Sequence, residues 1–266
     1  MALQDYVRER FLPHILCPGC GHGIVLNNLL RAMDELQLNP KEMVMVSGIG
    51  CSSRIAGYVD VHSLHTLHGR ALAFATGVKM SRPNLTVITP MGDGDALAIG
   101  GNHFLHACRR NIDITAIVMN NRIYGMTGGQ FSPLSGSGIR STTSPLHTID
   151  PDFDIVSLSL SAGASFVSRS TSYHCRELTS HIKQALEHPG FSVVEVLSPC
   201  PTHFGRRNEL GGANQMLQHL RESTTSIGSR AKEDNPELLE RGIFRQEEAP
   251  EYCREYAKLA SRAQKG

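Results

Sequence analysis

The sequence lacks a long apolar run, a secretory leader and an excess of charge of either sign. No stretch of 18 apolar residues occurs in its 266 residues, so we expect no membrane-spanning helix. The first residues, MALQDYVRERF, are charged and contain no apolar segment, so we expect a cytoplasmic protein. Lysine and arginine total 26 against 25 aspartates and glutamates, and this balance gives no basic surface for nucleic acid.

What remains is a chain of ordinary globular composition that carries seven cysteines. Hydrophobic residues make up 40% and charged residues 19%, and the length permits one large α/β domain with an appendage, or two small domains. In a chain without a visible leader, cysteines in this number indicate metal or redox ligands rather than a disulfide framework.

Two predicted strands deliver a carboxylate and an amide to their C-terminal ends. The first spans residues 85–91 and is followed by Gly-Asp-Gly; the second spans residues 112–119 and is followed by Asn-Asn. Ligands of open α/β sheets bind beyond the carboxyl ends of the strands, and a helix that starts after such glycines offers free N–H groups to a phosphate. Asp93 and Asn121 supply oxygen ligands suited to Mg²⁺. The pattern predicts a magnesium–diphosphate site; a Rossmann-like βαβ unit with an incidental turn is the alternative.

Strand and helix patterns alternate as far as residue 205. We therefore predict an α/β fold with a mostly parallel sheet and helices on both faces. Residues 131–145, rich in Gly, Ser, Thr and Pro, predict a functional loop over the site. The predicted strands are residues 43–47, 85–91, 112–119, 164–168 and 191–197, and the predicted helices follow residues 23, 65, 94 and 173.

The character of the chain changes near residue 206. Residues 223–236 are polar, and residues 237–264 are charged with short helical patterns. The segment contains too few large apolar residues for a core of its own. We therefore predict a domain at residues 1–205 that carries the site, and an extended C-terminal arm at residues 206–266 that contacts a partner subunit.

Four of the cysteines occupy comparable places. Cys17 and Cys20 form a C-x-x-C on the first loop, and Cys51 and Cys200 each follow the end of a predicted strand. A parallel sheet brings such ends to one edge, where four thiolates can hold either a [4Fe–4S] cluster or a structural Zn²⁺. The remaining cysteines, which we interpret as small apolar filler, are Cys108, Cys175 and Cys253.

The Gly-Asp-Gly to Asn-Asn stretch resembles the thiamine diphosphate-binding motif, in which the two elements lie at the same spacing. The resemblance implies three protein ligands for the magnesium ion. They are the side chains of Asp93 and Asn121 and the backbone carbonyl of Ile123.

Further motifs resemble the β subunit of the 2-oxoacid:ferredoxin oxidoreductases, in the family's order and over about three quarters of the chain. They are CPGCGHG at 17–23, GIGCSSR at 48–54, HGRALAFATGVK at 68–79, GDGD at 92–95, NNRIYGMTGGQ at 120–130 and SPCPT at 198–202.

This resemblance implies a thiamine diphosphate-binding fold and a set of ligands. A [4Fe–4S] cluster is expected on Cys17, Cys20, Cys51 and Cys200. Thiamine diphosphate is expected to contact Ile49, Gly50, Cys51, Ser52, His68, Gly94, Asp95, Gly125 and Met126. His68 is also a candidate catalytic residue, although a loop histidine can equally serve as a structural hydrogen-bonding group.

The implied reaction is the oxidative decarboxylation of a 2-oxo acid, with coenzyme A as acyl acceptor and ferredoxin as electron acceptor. The cofactor needs a buried glutamate, but the only glutamates before Glu177 are Glu9, Glu35 and Glu42, none in a glycine-rich motif. The family takes this glutamate from an α subunit, so we expect an α partner and no activity without it. Small ferredoxin-like subunits are further candidate partners.

The preferred substrate is 2-oxoglutarate, with pyruvate and branched-chain 2-oxo acids as alternatives. Arg54 lies where some relatives place a lysine towards the substrate carboxylate, which also makes it a candidate catalytic residue. Arg206 and Arg207 resemble the 2-oxoglutarate-specific version, and an arginine suits a second carboxylate; pairing with acids of a neighbouring subunit is the alternative. Two other functions remain open: a non-catalytic zinc-stabilised binding module and a non-redox thiamine decarboxylase.

Overall fold

The computed structural model describes residues 2–265 and contains one eight-stranded sheet flanked by helices. The strand order is β2-β1-β3-β4-β6-β5-β8-β7, and every pairing is parallel except that of β5 with β8. The strands are β1 (Met43–Ser47), β2 (His62–His65), β3 (Thr86–Gly92), β4 (Thr115–Asn120), β5 (Phe166–Thr171), β6 (Ser192–Leu197), β7 (Thr224–Ser226) and β8 (Leu239–Gln246).

The helices connect parallel strands and cover both faces of the sheet, which confirms the predicted fold class. They are α1 (Gly21–Glu35), α2 (Ile55–Tyr58), α3 (Ala71–Ser81), α4 (Asp93–Leu97), α5 (Gly101–Arg110), α6 (Ile155–Ser161), α7 (Cys175–Glu187), α8 (Ala213–Glu222), α9 (Ala231–Asp234) and α10 (Tyr252–Ala263). One hydrophobic core lies under α1 and α7, and another lies on the opposite face under α3, α5 and α6.

The central strands are continuous apolar runs because both of their faces are covered. All six residues of β4 and all six of β6 are buried. The strand predicted at residues 43–47 has those bounds, and the other predicted strands begin one to three residues later than expected. The sequence pattern missed β2, an edge strand whose four residues are all exposed, because it has no buried face to mark it.

The helix expected after Gly94 is divided into α4 and α5. Helix α4 ends at Leu97, and Ala98 has φ −84° and ψ −99°, outside the helical region. A Cβ on Gly100 would lie 2.2 Å from the carbonyl oxygen of Asp95. The break therefore packs the chain tightly against itself directly behind the Gly-Asp-Gly turn.

The segment after residue 205 is not an arm over its whole length. Strand β8 pairs antiparallel with the edge of β5, and Cys253 of α10 is buried in the core under α3 and α5. Strand β8 and helix α10 instead extend the sheet and the core of the preceding domain. The expected contact of residues 206–266 with a partner subunit stays a prediction.

The three remaining cysteines do not all behave as apolar filler. Cys108 and Cys253 are buried, whereas Cys175, at the start of α7, is exposed. The interpretation is wrong for Cys175 because the first residue of this helix faces outward. Within residues 2–265, no helix combines the length and apolar character needed to cross a membrane.

Candidate functional site

A cavity of about 260 Å³ lies beyond the carboxyl ends of β1, β3 and β4. It is lined by His22, Ile49, Gly50, Cys51, Ser52, His68, Gly92, Asp93, Gly94, Asp95, Asn121, Ile123, Tyr124, Gly125, Met126 and Thr127. These include all nine residues expected to contact thiamine diphosphate and all three expected magnesium ligands. The parallel sheet thus brings together groups that lie far apart in the sequence.

Asp93 is the carboxylate best placed for a cation. It is buried, and the hydroxyl of Ser132 donates to its Oδ2 over 2.5 Å. Burial raises the pKa of Asp93 to about 7, and the negative charge of Glu195 adds to that rise. An ionised carboxylate that is buried without a countercharge destabilises the fold because it has lost its hydration. A bound Mg²⁺ would offset this loss by supplying the countercharge.

Asn121 and Ile123 are presented by a tight turn after β4. Arg122, between them, has a left-handed φ of +64°, and Asn121 Oδ1 accepts from the Ile123 backbone N–H over 3.3 Å. The turn places Asn121 and Ile123 in the wall of the same cavity that Asp93 lines. Side-chain and carbonyl oxygens of this kind fit magnesium.

Asp95 organises the loops on the other side of the cavity. Its Oδ1 accepts from the Gly69 backbone N–H over 2.7 Å and lies 2.5 Å from His68 Nδ1. A Cβ on Gly48 would lie 2.0 Å from Asp95 Oδ2, so only glycine fits there. Oδ2 itself is buried and has no hydrogen-bond partner within the described part of the chain, which leaves it available to a donor from a bound molecule.

His22 was missed by sequence reasoning, although it lines the cavity. It is the second residue of α1 and is fully buried, and neither ring nitrogen has a hydrogen-bond partner among residues 2–265. Burial lowers the pKa of His22 to about 4, so the ring is neutral. A buried unpartnered imidazole at a helix N-terminus fits a phosphate-bearing ligand. In the sequence it is marked only by its place two residues after the Cys-Pro-Gly-Cys loop at 17–20.

Tyr124 also escaped the sequence analysis. Its hydroxyl donates to the Gly94 carbonyl oxygen over 3.1 Å, and its ring stands edge-on to His68 at 5.6 Å. Burial, with the negative charges of Asp93 and Asp95, raises the pKa of Tyr124 to about 12, so the hydroxyl stays protonated. The ring fixes the distance between the Gly-Asp-Gly turn and the loop after β4.

Gly94→Ala is expected to destabilise the protein because the added Cβ would lie 2.2 Å from the Tyr124 ring. We expect a loss of about 1–3 kcal/mol in the free energy of unfolding, measured by chemical denaturation. Gly101→Ala is the matched control: a Cβ there meets nothing within 4 Å, and no loss is expected. Equal stability of the two variants would contradict the packing described for Tyr124.

A second cavity, of about 200 Å³, adjoins the first. It is lined by Ile15, Leu16, Cys17, Cys20, Cys51, Arg54, Asn121, Gly125, Met126, Cys200, Pro201, Thr202 and His203. All four cysteines expected to bind the cluster therefore face one space. Cys51, Asn121, Gly125 and Met126 belong to the walls of both cavities.

The four thiols line one cavity, and Cys20 lies close enough to the other three for their charges to act on its pKa. Burial raises the pKa of Cys20 to about 12, and Cys200, Cys51 and Cys17 add to the rise, while the His22 backbone N–H opposes it by donating to Cys20. In residues 2–265, no three His, Cys, Asp or Glu side chains stand close enough to share one metal ion.

The three arginines expected to bind substrate lie apart from the cofactor cavity. Arg54 is exposed and lines the thiol cavity. Arg206 and Arg207 are exposed and follow a single π-helical turn at Pro201–Gly205. Neither lines either cavity. The chain as described does not bring them to the predicted cofactor residues.

Comparisons with known proteins agree with this geometry. Residues 48–196 match the family model described as the C-terminal TPP-binding domain of thiamine pyrophosphate enzymes. The chain is 46% identical to the 2-oxoglutarate synthase subunit KorB of Methanocaldococcus jannaschii over 96% of this chain and 95% of that protein. It is 47% identical to the corresponding subunit of Archaeoglobus fulgidus over 98% and 96% of the two chains.

The same fold occurs in a solved structure. That structure is the 2-oxoglutarate:ferredoxin oxidoreductase from Magnetococcus marinus with 2-oxoglutarate, coenzyme A and succinyl-CoA bound. It matches with a TM-score of 0.86 and 33% sequence identity, over 99% of this chain and 91% of that one.

Proposed function

Since the chain belongs to the family of thiamine diphosphate-binding β subunits of the 2-oxoacid:ferredoxin oxidoreductases, we propose that its enzyme oxidises 2-oxoglutarate. The proposed reaction converts 2-oxoglutarate and coenzyme A to succinyl-CoA and carbon dioxide, and releases two electrons to ferredoxin. The preference for 2-oxoglutarate is supported by the names of the relatives; pyruvate and branched-chain 2-oxo acids remain the alternatives within the family.

The observation that carries the proposal is the shared wall between the two cavities. Cys51 lies in both, between the residues proposed for thiamine diphosphate and the other three thiols. When bound, thiamine diphosphate supplies an electron sink for decarboxylation, and a [4Fe–4S] cluster supplies a one-electron acceptor beside it. A cluster fits the proposed reaction better than a structural zinc ion, because zinc has no redox chemistry and could not accept the electrons.

The residues of this chain hold and orient the proposed cofactors. Asp93, Asn121 and the Ile123 carbonyl would bind Mg²⁺, and the neutral His22 imidazole would donate to the diphosphate. Gly94 permits close backbone approach at the start of α4. His68, held by Asp95, faces the cavity as the candidate catalytic histidine.

We propose that the α subunit completes this site. The residues that line the cofactor cavity include two aspartates but no glutamate to activate the aminopyrimidine ring. The cavity is also open at His68, whose side chain is 35% exposed. Arg54, Arg206 and Arg207 remain proposed substrate ligands, and their exposure is compatible with a substrate cavity that forms only when the α subunit is present.

The test is a substrate panel on the chain co-expressed with its α subunit under anaerobic conditions. We expect coenzyme A-dependent reduction of viologen or ferredoxin with 2-oxoglutarate, weaker activity with pyruvate and branched-chain 2-oxo acids, and none with the isolated chain. Activity of the isolated chain would contradict the shared active site. A preference for pyruvate would contradict the proposed substrate, and a colourless zinc protein would contradict the proposed cluster.

Charge reversal at Arg206 and Arg207 tests the substrate assignment. If these side chains bind the distal carboxylate, the double variant is expected to lose its preference for 2-oxoglutarate over pyruvate in kcat/KM. Charge reversal at Arg109 and Arg110, exposed at the end of α5, is the matched control and should leave the preference intact. If the Arg206/Arg207 double variant kept the preference for 2-oxoglutarate, these side chains would not bind the distal carboxylate.

A further inference from the structure

An ion pair lies inside the sheet, next to the proposed magnesium site. Arg169 of β5 and Glu195 of β6 are direct neighbours across the two strands, and Arg169 Nε donates to Glu195 Oε2 over 2.7 Å. Both side chains are 5% exposed or less. Buried ion pairs do not in general stabilise a fold more than well-packed apolar side chains of similar volume. We therefore expect the Arg169–Glu195 pair to have a positional role.

The second oxygen of Glu195 leads to the turn after β4. Glu195 Oε1 accepts from Asn120 Nδ2 over 2.8 Å, and Asn120 Oδ1 in turn accepts from the Arg122 backbone N–H over 3.2 Å. This second bond closes the turn in which Arg122 takes its left-handed φ. The turn sets the directions of Asn121 and Ile123, which supply two of the three proposed magnesium ligands.

The guanidinium of Arg169 extends the network to the start of α6. It donates to Asp154 Oδ1 over 3.0 Å, and Asp154 caps α6 nine residues after the loop at 131–145. Near the start of that loop, Ser132 donates to Asp93. The segment from Ser132 to Asp154, which contains the loop, is therefore held at one end by the proposed metal site and at the other by the network behind it.

We propose that Glu195 is a positioning residue for the metal, which acts through Asn120 to hold the Asn121–Ile123 turn in its ligating conformation. Arg169 holds the Glu195 carboxylate in place through the hydrogen bond from its Nε. The first asparagine of the Asn-Asn pair shapes the turn, and the second binds the cation. This inference rests on the proposed magnesium–diphosphate site and concerns a residue that does not line the cavity.

The test measures magnesium-dependent binding of thiamine diphosphate by calorimetry on the chain purified with its α subunit. Glu195→Gln keeps the shape of the side chain but removes its charge, and Asn120→Ala removes the link to the turn. We expect each to weaken the apparent Mg²⁺ affinity by about 10-fold, as for other groups that orient metal ligands. At saturating Mg²⁺, kcat should stay close to wild type.

Asp113→Asn is the matched control. Asp113 pairs with the buried Lys79 at 2.5 Å, away from the cavity, so this acid-to-amide change should lower the melting temperature without altering Mg²⁺ affinity. The Glu195→Gln/Asn120→Ala double variant should bind Mg²⁺ no more weakly than the weaker-binding of the two single variants, because both substitutions act through one contact.

Three results would overturn the inference. They are an unchanged Mg²⁺ affinity in Glu195→Gln, an equal effect in Asp113→Asn, and multiplied effects in the double variant. An error in the proposed magnesium–diphosphate site itself would give a different result. The wild-type complex would then show no magnesium-dependent binding of thiamine diphosphate.

Discussion

Asp93→Asn is expected to abolish magnesium-dependent cofactor binding while stabilising the cofactor-free protein. The amide keeps an oxygen for the Ser132 hydroxyl but cannot offer a negative charge to Mg²⁺. We expect the affinity for thiamine diphosphate in the presence of Mg²⁺ to fall by about 100-fold or more, because a ligand matters at least as much as the groups that orient it. Calorimetry on the co-purified complex measures the loss.

The gain in stability follows from the buried charge. Burial raises the pKa of Asp93 to about 7 in the folded protein, above the value of about 4 of an unfolded chain. The folded state therefore binds the proton more tightly, and its stability falls as the pH rises between these two values. The Asp93→Asn variant has no carboxylate to ionise at this position, so its stability should not decrease over this pH range. Its melting temperature should therefore exceed that of the wild type most clearly above pH 7.

Asp150→Asn, a change of an exposed carboxylate between β4 and α6, is the control. It should alter neither the affinity for thiamine diphosphate in the presence of Mg²⁺ nor the melting temperature of the cofactor-free protein. Retention of magnesium-dependent binding by Asp93→Asn would refute its assignment as a ligand. A lower melting temperature of this variant without cofactor would show instead that the carboxylate stabilises the fold.

Cys200→Ser is expected to remove the iron and to stop electron transfer while leaving thiamine diphosphate binding in place. Cys200 lines the thiol cavity only, and a [4Fe–4S] cluster needs four ligands, so iron should fall from about four atoms per chain to below about one. Viologen and ferredoxin reduction should be lost together. Cofactor affinity, measured by calorimetry, should change by less than about 3-fold, since no cavity contact is lost.

Two variants make this prediction specific. Cys51→Ser should impair both iron content and cofactor affinity, because Cys51 lines both cavities. Cys175→Ser changes an exposed cysteine at the start of α7 and should affect neither. If Cys200→Ser kept its full iron content, the ligand set would be wrong; if it lost cofactor affinity as strongly as Cys51→Ser, the two cavities would not be separable.

The sequence predicted the parts of the fold and site that depend on local pattern. Strand β1 was located with its observed bounds because five consecutive buried residues leave a continuous apolar run. The expected ligands Asp93 and Asn121 follow adjacent parallel strands, and the topology of such a sheet places strand ends together without knowledge of any side-chain contact. Their convergence on one cavity could therefore be inferred from spacing.

What the sequence could not show depends on contacts between distant residues. Strand β8 has a charged, half-buried pattern that resembles a surface segment, and only its pairing with β5 reveals it as part of the sheet. Glu195 interrupts an otherwise apolar strand, and its partners are 26 and 75 residues away. His22 follows the Cys-x-x-Cys loop, but its unpartnered nitrogens become visible only when the surrounding packing is known.

The expected roles of Arg206 and Arg207 illustrate a different limit. Their resemblance to 2-oxoglutarate-specific relatives concerns an assembled enzyme, whereas this chain alone leaves both side chains exposed. Exposed arginines serve substrate binding and subunit contacts equally well, so the two roles are separated by the charge-reversal variants assayed with 2-oxoglutarate and pyruvate.

The proposed adjacency of an iron–sulfur cluster and a magnesium-bound cofactor at one rim of the sheet is tested most directly by electron paramagnetic resonance. The anaerobic complex with its α subunit would be frozen after addition of 2-oxoglutarate and coenzyme A, with and without Mg²⁺ and thiamine diphosphate. The signal of a reduced [4Fe–4S] cluster should appear only when both cofactor components are present. A complex that contains iron but shows no substrate-dependent reduction, or one that contains no iron, would contradict the account.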